Sequence, residues 1–196
     1  MPKQVDHEER RRHIAGAVLR LIGTRGMEAA TLRAVAAEAG VSMGAVQHYF
    51  KAKEEMVLFA MEHNQALLAV RVQKRFAEPP SSARGRFRLF IRELLPLEEE
   101  SLAGARLYAA LQARAVIDPA IAALAVQAVE GLTGFFRTQL EEVRERGEAR
   151  ADLDADREAR SLYSTVSGLV VPLMLGAYTE ERAMEVLDAH LERLFG

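Results

Sequence analysis

Cysteine is absent from the 196-residue chain. That removes disulfide frameworks, thiol catalysis and the cysteine-based zinc or iron–sulfur sites from consideration. No uninterrupted apolar run approaches the ~20 residues that a membrane-spanning helix needs. The opening stretch, MPKQVDHEERRRH, is charged where a secretory signal would be apolar. No segment shows the period-2 alternation of β-branched residues that marks a strand. What is present is a composition of 49% hydrophobic and 28% charged residues, which is globular rather than disordered. Its length suits one or two small domains. These features predict a soluble, cytoplasmic protein with no membrane partner.

The net charge of −2 hides an asymmetry. Residues 1–54 carry nine Lys/Arg against six acids, a balance of +3, while the remainder carries seventeen against twenty-two, a balance of −5. A basic head on an acidic body permits a localised polyanion-binding face.

Helical periodicity runs through nearly the whole chain. Ile14, Val18, Leu21 and Ile22 recur on one helical face, with Asp6 and Glu9 as a capping arrangement ahead of them. Gly23 and Gly26 bracket the end of that helix. Thr31 caps a short helix from Leu32 to Ala39, which stops at Gly40. Ser42 caps a second one reaching about Tyr49, and a longer helix spans about 53–77 before the breaker Pro79-Pro80-Ser81-Ser82. Five more are expected at about 82–95, 98–116, 119–146, 155–177 and 180–194. Asp118-Pro119 is a start signal, Gly147 a stop, and Pro172 a kink. The predicted fold is all-α with nine helices.

The segment Thr31–Lys53, TLRAVAAEAGVSMGAVQHYFKAK, is the informative one. Two helices of about two turns each are too short to stand alone and must pack on a third. Gly40 suits the turn of a helix-turn-helix, Ala36 the point where the helices cross, and Val35, Ala39, Val41 and Val46 a shared core. The remaining face of the second helix is small and polar: Ser42, Gly44, Ala45, Gln47 and His48. Such a face fits a major groove. Gly44 and Ala45 allow close approach, Gln47 can present a bidentate amide to adenine, and Met43 or Ala45 can meet a thymine methyl. Thr31, Ser42, Tyr49 and Lys53 can reach phosphates.

The run Arg12–Lys53, with Ala30-Thr31, Ala39-Gly40-Val41-Ser42, Gly44 and Tyr49-Phe50-Lys51-Ala52-Lys53, resembles the DNA-binding domain of TetR-type transcriptional repressors. Within that family, Gly44 to Phe50 looks like the BetI-like subgroup. The resemblance implies a three-helix DNA-binding head at 1–54 and a helical ligand-binding and dimerisation body at 55–196, joined by a long fourth helix. It also implies DNA contacts from Thr31, Arg33, Ser42, Met43, Gly44, Ala45, Gln47, His48, Tyr49 and Lys53. Gln47-His48 stands where many relatives carry aromatic residues, so base preference does not transfer.

In the body, Leu162, Val166, Leu169 and Leu173 form one apolar stripe, and Met184, Leu187, Leu191 and Leu194 another. Both are candidates for dimerisation, since two half-sites need a two-fold protein. The competing reading is that they close the chain's own core. Phe87, Phe90, Tyr108, Gln112, Phe135, Phe136, Tyr163 and Met174 are candidates for lining an effector cavity, or for plain core. Without tryptophan, a quaternary-ammonium cage would have to be built from Phe and Tyr.

None of the five histidines follows a Glu by three positions, and HExxH, GxSxG and phosphate-loop patterns are missing. The expectation is therefore a non-enzyme without cofactor or metal: a homodimeric repressor that a small molecule releases from a palindromic double-stranded DNA operator. The alternatives are a regulator that works without an effector or with a co-repressor, and a helical-bundle carrier or enzyme whose head is only structural.

Overall fold

The computed structural model describes residues 2–196, with side chains from His7 onward. Among the described residues there is no strand and there are nine α-helices. They are α1 (Pro2–Arg25), α2 (Leu32–Ala39), α3 (Met43–Tyr49), α4 (Lys53–Arg75), α5 (Ala83–Leu94), α6 (Glu99–Ala115), α7 (Pro119–Glu145), α8 (Ala155–Met174) and α9 (Glu180–Phe195). A 3-10 turn, Met27–Ala29, follows α1. Two boundaries differ from expectation. Helix α1 starts at Pro2, ahead of the Asp6 and Glu9 expected to cap it; the side chain of Asp6 lies outside the described ones. Helix α8 ends at Met174, two residues after Pro172 rather than near 177. Gly176, with a φ of +69°, closes it: its N–H returns to the Leu173 carbonyl, and those of Ala177 and Tyr178 return to the Pro172 carbonyl.

The chain divides into two compact units, residues 1–69 with 102–122, and 70–101 with 123–196. In the first, Ile14, Ala17, Val18, Leu21 and Ile22 of α1 are all buried. They share a core with Val35, Ala36 and Ala39 of α2, Val46 of α3, Phe50, and Met56 and Val57 of α4. Arg11 reinforces the seam between α1 and α4, its guanidinium lying 4.0 Å from the Phe59 ring centre and 3.9 Å from Glu55. Gly104 of α6 has no room for a side chain, because a Cβ there would overlap the amide of buried Asn64.

In the second unit, Phe87 and Ile91 of α5, with Leu95 just after it, pack against Phe136, Leu140 and Val143 of α7 and the inner faces of α8 and α9. Side-chain caps set the starts: Ser82 accepts from Gly85 N at 3.1 Å, Asp154 from Arg157 N at 3.1 Å and Thr179 from Arg182 N at 3.3 Å. Helix α7 is long and apolar enough, with a mean hydropathy of 1.4, to meet the length and composition of a membrane span. One such helix is weak support for a span, and Gln127 and Glu130 interrupt its apolar residues.

Each unit holds one depressed histidine. Burial and then the Arg12 charge keep the His63 imidazole below its ordinary value, and its buried Nδ1 has no hydrogen-bond partner. Burial and then Arg193 do the same to His190, against the opposing pull of Glu158; His190 Nδ1 lies 3.0 Å from Thr165 Oγ1. Both environments favour the neutral ring, so the unfolded chain takes up these protons first. Their contribution is full above the unfolded imidazole value and is lost as pH falls through the lower, folded one. Thermal unfolding midpoints should therefore fall by a few degrees between about pH 7 and about pH 5. His63→Gln or His190→Gln should flatten that slope.

Candidate nucleic-acid interface

Helices α2 and α3 meet at Gly40, whose φ of +64° is the left-handed conformation that glycine adopts without strain. Its N–H and that of Val41 return to carbonyls of α2, from Ala36 and Ala37, closing that helix. Thr31 Oγ1 accepts from Ala34 N at 3.2 Å and Ser42 Oγ from Ala45 N at 3.1 Å, so each short helix starts on its own side-chain cap. His13 Nε2 lies 2.8 Å from the carbonyl of Ala39, and Arg20 reaches Glu38 at 2.8 Å, which ties α2 to α1.

This packing buries Val46 and Phe50 completely and leaves the opposite side of α3 in solvent. Thr31, Arg33, Ser42, Met43, Gly44, Gln47 and His48 are exposed, and Ala45, Tyr49 and Lys53 are half-buried. None of the ten sequence-selected residues is consumed by the core. Val41, expected in the shared core, is only half-buried. At the far end, Lys51 Nζ donates to the carbonyl of Gln47 at 3.0 Å, and Lys53 pairs with the exposed Glu28 at 3.3 Å. The arrangement is a rigid two-turn rod carrying a small, polar face flanked by cations. It can enter a major groove and meet phosphates on either side.

The comparisons agree with that geometry. Residues 14–59 match the family described as bacterial regulatory proteins, tetR family, and residues 83–196 match the BetI-type transcriptional repressor C-terminal domain. The chain belongs to the TetR family of bacterial transcriptional regulators. It is 32% identical to the HTH-type transcriptional regulator PksA of Bacillus subtilis (strain 168), over 99% of this chain and 94% of that one. A TetR-family regulator from Rhodococcus sp. shares its fold with a TM-score of 0.83 at 21% identity, over 96% of this chain and 100% of the other. A regulator from Saccharomonospora viridis, solved in complex with choline, shares it with a TM-score of 0.75 at 23% identity, over 94% of each chain.

The other candidate residues fall into different surroundings. Of the dimerisation set, Leu162, Val166, Leu169, Met184, Leu187, Leu191 and Leu194 are buried within this single chain and Leu173 packs against the same core. Their stripes pack into the core shared with α5 and α7, and Leu173 alone of the eight stays half-buried. Of the effector set, Phe87 and Phe136 are core residues, while Phe90, Phe135 and Phe136 stand together, with Phe90 and Phe135 ring centres 4.7 Å apart. Tyr163 and Met174 are half-buried on α8. Tyr108 and Gln112 lie on α6, in the first unit. Sequence reasoning passed over His7, which the fold sets against Tyr49 and His48. No periodicity links it to residues so far along the chain.

Proposed function

We propose that the chain is a homodimeric repressor that holds a near-palindromic operator through α3 and is released by a small-molecule effector. The observation that carries this is the exposed face of α3, built from Met43, Gly44, Ala45, Gln47 and His48 over a closed core. Gln47 reads base edges, and Thr31, Arg33, Ser42, Tyr49 and Lys53 hold the backbone. Acting on DNA places the protein in the bacterial cytoplasm.

With the leucine stripes turned inward, the dimer face assigned here is the outward side of α8 and α9. Ser164, Gly168 and Val171 line α8, Leu175 and Tyr178 the following turn, and Val186 lies on α9. Leu175 is 77% exposed and Val171 47%, an apolar surface that a two-fold partner would cover. Phe90 and Phe135 are effector-lining candidates whose rings stack on each other and keep an accessible side. The choline held by the Saccharomonospora viridis relative supports a small organic effector. A quaternary-ammonium cage in this chain would draw on Phe and Tyr alone. The effector acts by binding the released conformation more tightly than the operator-bound one; equal affinity for both would shift nothing.

Selection from randomised duplex DNA should enrich a near-palindrome with half-sites one helical turn, or a multiple of it, apart. On that duplex Gln47→Ala should relax sequence preference. Lys53→Ala should weaken all sequences alike and lower the slope of affinity against salt by about one. Recovery of no enriched sequence, with binding that only fades as salt rises, would favour the carrier reading.

A further inference from the structure

Three aromatic rings from two distant stretches of chain meet at the end of α3. The His7 ring of α1 stands edge-to-face on Tyr49, centres 4.5 Å apart and planes at 62°. It lies 5.8 Å from the His48 ring at 65°, and His48 and Tyr49 are themselves 5.2 Å apart at 84°. Such pairs place a positive ring edge on a negative ring face and are favourable beyond the area they bury. His7 and His48 are nevertheless exposed and Tyr49 only half-buried, while the core beneath is already closed by Phe50. The cluster is thus a surface feature, and its surface is the one that carries His48 and Tyr49.

We propose that His7 is a DNA-backbone contact, so that the operator-facing surface extends from the recognition helix onto α1. The assignment rests on α3 being the recognition helix. One imidazole N–H of His7 donates to a phosphate oxygen, and the ring braces Tyr49 and His48 against the last turn of a helix only seven residues long. A phosphate contact fixes register and carries no base information, so its effect is the same on every sequence. A ring without the N–H keeps the brace and loses the contact, which separates the two roles.

The test measures affinity of the full chain for the selected near-palindrome and for an unrelated duplex of equal length, using His7→Phe, His7→Ala and Lys53→Ala. Thermal unfolding of each variant checks the fold. The expected result is a loss of about three- to tenfold for both His7 variants on both duplexes, with unfolding midpoints unchanged. Wild-type affinity for His7→Phe beside a weakened His7→Ala would overturn the contact and leave only a brace. A loss confined to the selected duplex would overturn it too, by placing His7 at a base edge. If Lys53→Ala weakens binding and neither His7 variant does, this inference alone fails. If Lys53→Ala also changes nothing, the reading of α3 fails and takes the inference with it.

Discussion

Gly44→Glu is expected to abolish operator binding, with a loss of more than about a hundredfold, while leaving the folded protein intact. The two halves of that expectation have separate causes. Gly44 lies in the first turn of α3 and is exposed; a Cβ there would meet only Ser42 Oγ, at an ordinary 3.9 Å. Its backbone is not among the positive-φ glycines, so a side chain brings no strain. Replacing glycine inside a helix gains roughly 0.5–1 kcal/mol of conformational entropy, so the unfolding midpoint should hold or rise slightly. The DNA side is the reverse. In the proposed complex the absence of a side chain at 44 lets the rod approach the groove, and a carboxylate there would be forced among phosphates. Gly44→Ala, which adds bulk without charge, should weaken binding severalfold and no more. Fluorescence anisotropy against circular-dichroism melting reads both effects. A Gly44→Glu protein that keeps its affinity would take α3 off the DNA.

Most of the helix boundaries were legible because local chemistry writes them. Thr31, Ser42, Asp118-Pro119 and Gly147 all act within one turn of the boundary they set, as caps or breakers. The start of α1 was not legible, because its first residues are polar and charged and carry no hydrophobic period. Which side of α3 stays exposed was legible for a different reason: a two-turn helix with one apolar side leaves little choice about which side remains outside. The leucine stripes of α8 and α9 show where this reasoning stops. Periodicity reports that Leu162, Val166, Leu187 and Leu191 are covered, but not by what; only the placement of Phe87 and Ile91 on α5 shows that the cover is the chain's own. Pairings between distant residues leave no local trace at all. His7 with Tyr49 is one, and the ion network around Glu93 is another.

That network supports the second large effect, this time on stability. Glu93 of α5 is 4% exposed, yet it carries a charge balanced by two guanidiniums from the end of α4: Arg71 at 3.5 Å and Arg75 at 3.0 Å. Arg71 is itself largely buried, and its Nε already lacks a hydrogen bond of good geometry. Arg75 is shared with Glu98, and Arg92 links Glu98 to Glu180 at the start of α9; its hydrogen bond holds the Glu98 carboxyl below the usual carboxylate range. Glu93→Ala removes the one carboxylate among the described residues that answers Arg71 and leaves a cation stranded out of water. The expected cost is about 3–5 kcal/mol, a fall in unfolding midpoint on the order of 10 °C. Glu93→Gln, which keeps the shape and loses the charge, should cost most of that. Glu98→Ala breaks a network member that solvent reaches, so its cost should stay within about 1 kcal/mol. Equal costs for Glu93→Ala and Glu98→Ala would show that burial is not what makes the pair matter. Below its lowered midpoint Glu93→Ala should still bind the operator, because every proposed DNA contact lies outside the unit that holds Glu93. Gly44→Glu and Glu93→Ala thus form opposite cases, one losing DNA with its fold intact and the other losing stability with its DNA-facing surface intact.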